Sequence, residues 1–103
     1  MDPQSIETIA DAIGVFRPAY DKLIGLAEEI DDEWSYVGDL SAAWIERIAE
    51  VADARGREPA PAGTADAVAA LAAEVAALED AHRAIDWLST APQVLLIALG
   101  ERP

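Results

Sequence analysis

Cysteine is absent from this sequence, so disulfides, thiolate nucleophiles and cysteine-ligated zinc or iron–sulfur centres are closed to it. Lysine occurs once, as Lys22, and histidine once, as His82. Twenty acidic residues against seven basic ones leave a formal net charge of −13. That charge repels nucleic-acid phosphates and anionic membrane surfaces, and the Arg residues form no basic stripe, so no nucleic acid and no membrane is expected as a partner. Long hydrophobic runs are also missing: the strongly apolar run Val94 to Leu99 is far too short to span a bilayer. The start Met1-Asp2-Pro3-Gln4 has no basic-then-apolar leader, and the expected location is cytoplasmic. Catalytic motifs are lacking as well. There is no Gly-rich phosphate loop and no G-x-S-x-G, and the one Ser near His82 is Ser89, a heptad away, so nothing supports an enzyme.

Aromatic residues are scarce, at 6%, although hydrophobic residues reach 52% because Ala is abundant. Small side chains each bury little area, so close helix packing must compensate. With 103 residues the expectation is a single helical domain over 1–103. Its fold class is all-α, a small bundle of four or five helices.

Apolar periodicity places those helices. Asp2-Pro3 suits an N-cap and first helical position ahead of Ile6, Ile9, Ala10 and Ile13. Gly14 and Pro18 then weaken or bend the chain before Tyr20, Leu23, Ile24, Ala27 and Ile30 resume a stripe. This is a second helix or the first continued through a kink. A break is expected near Gly38, with Asp39 or Ser41 capping a helix that carries Trp44, Ile45, Ile48, Val51 and Ala52 and ends by Gly56. Gly56, Pro59, Pro61 and Gly63 mark an exposed linker at about 55–63 between two helical halves. Thr64 offers an N-cap to a long Ala-rich helix in which Val68, Leu71, Val75, Leu78, His82 and Ile85 form a heptad seam. Thr90-Ala91-Pro92-Gln93 has capping-box spacing and predicts a short apolar final helix, ended by Gly100.

Glu79-Asp80-Ala81-His82 is an E-x-x-H that, on a helix, sets a carboxylate and an imidazole on one face, as in ferritin-like bundles that hold iron or manganese. Candidate metal ligands are therefore Glu79 and His82 with Glu28 and Glu29, and Glu46 or Glu50 as further carboxylates. Glu28-Glu29-Ile30 with nearby Trp34, and Glu79 with His82, resemble two short stretches of the encapsulated ferritins, a resemblance that implies an iron site built between subunits. The simpler reading of a lone seam histidine is a polar residue that fixes register, with no cofactor. The five acids of Glu28-Glu29-Ile30-Asp31-Asp32-Glu33 lack the spacing of a calcium loop and spread round a helix as a solvated face.

Val94-Leu95-Leu96-Ile97-Ala98-Leu99 is apolar all round a helix, which a subunit this small has difficulty burying. It is either intrachain core or a contact shared across a two-fold axis, and the second is favoured. The expected interface comprises Val68, Leu71, Val75, Leu78 and Ile85 of the seam, Trp87, and Val94, Leu95, Leu96, Ile97 and Leu99 of the final helix. The expected function is protein–protein interaction or self-assembly as a homo-oligomer. Alternatives are a ferritin-like metal-binding assembly and a helical bundle that binds a small molecule between Trp and Ile side chains.

Overall fold

The computed structural model describes residues 6–30 and 36–102. It contains four helices, α1 (Ile9–Glu28), α2 (Tyr36–Arg55), α3 (Thr64–Ala77) and α4 (Ala81–Ala98), and no strand among the described residues. None of these helices is long and apolar enough to cross a membrane. The expected all-α bundle is therefore present, with four helices whose boundaries differ in several places from those read by periodicity.

α1 begins later than Asp2-Pro3, which lie outside the described residues; Ile6 precedes the helix. Its N-cap is Thr8, whose Oγ1 accepts from the Asp11 N–H at 3.2 Å while Asp11 Oδ2 accepts from the Thr8 and Glu7 N–H groups at 3.0 and 3.1 Å. This reciprocal box satisfies orphan donors of the first turn. The helix then runs unbroken through Pro18. Pro18 and Gly14, the residue whose carbonyl loses its partner, are both exposed, so solvent replaces the missing bond. Ile9, Ala12, Ile13, Phe16, Tyr20, Leu23 and Ala27 share one helix face and are all buried.

Neither Asp39 nor Ser41 caps α2, because the helix already includes Tyr36 and passes through Gly38. The buried Ser41 hydroxyl instead donates to the Gly38 carbonyl at 3.2 Å. α2 ends at Arg55, as expected from Gly56. The segment after it is more than a linker. The Ile9 and Ala10 N–H groups donate to the Glu58 and Gly56 carbonyls at 3.0 Å each, and the Ala60 N–H donates to Glu7 O at 2.9 Å. Residues 56–60 thus form a strap antiparallel to 7–10 that closes the start of α1. Gly56 is buried, and a Cβ there would lie 2.4 Å from Ala52 O, so only glycine fits.

Thr64 is the first residue of α3 rather than its cap. The cap is Gly63, at φ 88, and the fully buried Thr64 hydroxyl donates to Ala98 O at 3.1 Å. The long heptad helix is divided. α3 stops at Ala77, Leu78 is extended at φ −77 and ψ 130, and Asp80 caps α4 by accepting from the His82 N–H at 2.9 Å. The expected short final helix is likewise part of a longer one, since α4 continues through Pro92 and Thr90 Oγ1 donates back to Asp86 O. α4 closes in a Schellman turn, with Gly100 at φ 79, the Glu101 N–H on Leu96 O at 2.8 Å and the Gly100 N–H on Ile97 O at 3.0 Å.

A proline inside a buried helix segment leaves the carbonyl four residues earlier without a donor. For Pro92 that is Leu88 O, and the Tyr20 hydroxyl of α1 donates to it at 2.7 Å in the core. Burial pushes the Tyr20 pKa up to about 12, with Arg17 pulling the other way. Phe16 stacks on Tyr20 with ring centroids 5.4 Å apart. α1 and α4 form the central antiparallel pair; α2 and α3 each pack on both but not on one another. The start of α1, the end of α2, the start of α3 and the end of α4 share one end of the bundle.

Tyr20→Phe should cost about 1–2 kcal/mol in denaturant unfolding, and clearly less in a Pro92→Ala background, where residue 92 regains an N–H for Leu88 O. The parent should also lose stability as pH rises from 10 to about 12, because the unfolded Tyr20 gives up its proton first; Tyr20→Phe should lack that contribution. At the acid end, the Thr8 backbone N–H, then the Glu7 N–H, then the Thr8 side chain hold Asp11 below its ordinary 3.8. Its stabilisation is present above that value and lost as pH falls through the lower folded one. An unfolding series below pH 4 should therefore be flatter for Asp11→Asn than for the parent.

Candidate functional site

The apolar segment at the end of α4 is resolved by its neighbours. Leu88, Ala91, Leu95, Leu96 and Leu99 are completely buried and belong to one hydrophobic cluster with residues from all four helices. Val68, Leu71 and Val75 of α3 are buried in the same cluster, and Leu78 and Ile85 pack at its margin. Most residues expected at an interface are therefore committed to the core of their own chain. Ile97 is the exception, 63% exposed.

Ile97 is not isolated. Trp87 and Val94, a heptad apart on α4, lie on the outer side with it and are half-buried. Together with Ala67, Ala70, Leu71 and Glu74 of α3 they line a groove of about 170 Å³ between the two helices. Helix spacing explains the separation: positions 88, 91, 92, 95, 96 and 99 point inward, leaving 87 and 94 at the margin and 97 outside. Small alanines on α3 keep the groove open where larger side chains would fill it.

Charge also sets this face apart. No charged residue occurs between Asp86 and Gly100, and α3 contains only Asp66 and Glu74. Acids elsewhere are exposed on α1 and α2, among them Asp21, Glu28, Glu46, Glu50 and Asp53. Desolvating the α3–α4 face therefore strips water from few ionised groups.

A second, wider depression of about 690 Å³ is lined by Thr8, Ala10, Asp53, Arg55, Gly56, Arg57 and Glu58. Thr8, Arg55 and Glu58 there are engaged in holding the fold, and Asp53 and Arg57 are exposed. Arg55 donates to Leu99 O at 3.0 Å and pairs with Glu58 and Glu101 at 3.3 and 3.6 Å, while the adjoining amides of α1 are taken by the strap.

The expected E-x-x-H pair on one helix face does not form. Glu79 sits in the connection before Asp80, which caps α4, and His82 lies in the first turn beyond it; both are exposed. Glu28 is the last residue of α1 and Glu29 its C-cap, again exposed. Among the described residues no group of three or more His, Asp or Glu side chains is arranged to hold a metal ion. Trp34, quoted with Glu28 and Glu29 in the ferritin resemblance, lies outside the described residues.

Sequence reasoning missed the residues that fix this geometry. Lys22 Nζ donates to both Val75 O and Ala76 O at 2.8 Å, closing the end of α3. Its being the sole lysine was the available signal. Arg47 reaches Arg102 O and Glu101, and with Arg55 holds the end of the chain against α2. No family model matches the sequence, and no curated protein or solved structure matches it either.

Proposed function

We propose that this chain works by self-association, two copies meeting through the α3–α4 face. The supporting observation is Ile97, a large aliphatic side chain left 63% exposed beside an apolar groove on an otherwise strongly acidic protein. The face offers both a ridge, Ile97 with Val94, and a shallow alanine-lined hollow. A two-fold axis lets each copy's ridge meet the other's hollow, the self-complementarity that an isologous contact requires. Copies carrying −13 each repel one another, so a pairing surface must be the one with fewest charges, and this face meets that condition.

The groove volume of about 170 Å³ falls below the ~300 Å³ at which small-molecule sites begin, so ligand binding gains no support from it. The ferritin-like reading would need carboxylates brought together from different copies, and no grouping among the described residues favours it.

Sedimentation over a wide concentration range should show a reversible monomer–dimer equilibrium. The dimer should tighten as salt is raised from about 0.05 M to about 0.5 M, because long-range repulsion is screened. Ile97→Glu should shift the protein to monomer with its helical circular dichroism unchanged, since the side chain is outside the core. Leu96→Glu should unfold the chain, since Leu96 is fully buried. A parent protein that stays monomeric at high concentration and high salt would refute the proposal.

A further inference from the structure

We infer that two copies of this chain can also exchange α4, the connection at 78–80 straightening so that α3 and α4 become one helix over 64–98. The exchange uses a different segment from the face-to-face pairing above and does not rest on it.

Local sequence favours the straight form. No Gly or Pro occurs from Ala65 through Ala91, and Ala76, Ala77, Leu78 and Glu79 are strong helix formers. The apolar steps Val68, Leu71, Val75, Leu78 and Ile85 continue across the point where the chain leaves the helix. The break is therefore imposed from outside the segment, a disagreement between local preference and tertiary structure.

The imposing groups are identifiable. In a continuous helix Val75 O would accept from the Glu79 N–H and Ala76 O from the Asp80 N–H. Here the same two carbonyls accept from Lys22 Nζ on α1, each at 2.8 Å. Lys22 thus stands in for the Asp80 N–H at Ala76 O, and at Val75 O it joins the Leu78 N–H, which bonds there at 3.1 Å, in place of the Glu79 N–H of the straight helix. On the other side of the break the Asp80 carboxylate takes the His82 N–H at 2.9 Å, a bond with no counterpart in a helix interior.

The remaining contacts survive exchange. α4 packs more extensively on α1 than on α3, and the Tyr20–Leu88 bond joins α4 to α1. An α4 supplied by a second copy re-forms these contacts, so the free energies of closed and exchanged forms differ mainly at the hinge. A hinge as short as residues 78–80 is the kind that invites such swapping.

The test is refolding at high protein concentration, followed by size exclusion and sedimentation of the isolated dimer after dilution. An exchanged dimer dissociates only by opening the bundle, so it should persist on dilution, unlike a surface pair. Lys22→Met and Asp80→Ala each weaken only the closed form and should raise the persistent-dimer fraction about fivefold. Glu79→Pro should lower it about a hundredfold, because the extended Leu78 accepts a following proline whereas a helix interior does not. Circular dichroism checks that this variant folds; if it does not, Asp80→Ala carries the decision. Absence of a persistent dimer in all of these proteins, or an unchanged fraction in both Lys22→Met and Asp80→Ala, overturns the inference. Ile97→Glu should leave the persistent dimer intact, so the two modes of association fail separately.

Discussion

A buried proline creates a demand that organises this bundle. Pro92 cannot donate to Leu88 O, and an unsatisfied carbonyl in a dry core is costly. The Tyr20 hydroxyl meets the demand at 2.7 Å, and because it is the end of a rigid ring stacked on Phe16, it fixes both the rotation of α1 and the height of α4 beside it. With that pair set, α2 and α3 have defined seats in the clefts on either side, which is why each touches both central helices and neither touches the other.

Three of the seven cations close the ends of helices or the chain beyond them. Lys22 closes α3, Arg55 closes α4, and Arg47 holds the segment beyond. Lys22 and Arg55 meet backbone carbonyls at the ends of α3 and α4, where the helical i to i+4 donors run out, and the macrodipole adds to the attraction. The acids are left mainly to solvent, on α1, α2 and the connections. The outer surface of α4 beyond Asp86 is left without charge, and it is there that the side chains suited to association remain outside.

Fold class and much of the core were legible because helical spacing survives any uncertainty about boundaries. Ile9, Ile13, Tyr20, Leu23, Ile48 and Val51 occupy the inner faces that periodicity assigns them, whereas Val68, Leu71 and Val75, expected at an interface between copies, are core of their own chain. Boundaries were less legible wherever a distant group decides them. Thr90-x-x-Gln93 has the spacing of a helix start, yet it lies inside α4 because Tyr20, 68 residues from Leu88 in the chain, repairs the loss at Pro92. The seam from Val68 to Ile85 reads as one helix, yet it is divided because Lys22 and Asp80 satisfy the groups at the break. Of the candidate site, the sequence marks Val94 to Leu99 as unusual but cannot divide it into Leu95, Leu96 and Leu99 inside and Ile97 outside, since that division depends on where α1 and α3 lie. The E-x-x-H reading failed for the related reason that Asp80, between its two members, serves better as a cap than as part of a helix.

The strap at 56–60 and the Arg55–Leu99 contact bring the beginning of α1 and the end of α4 to one end of the molecule. Tension applied through the two ends would therefore load these antiparallel central helices by peeling. Interhelical contacts would yield one row after another, starting from the strap, rather than all together in shear. Such a bundle resists heat and denaturant through its whole core but resists pulling only through the few bonds at its fastened end.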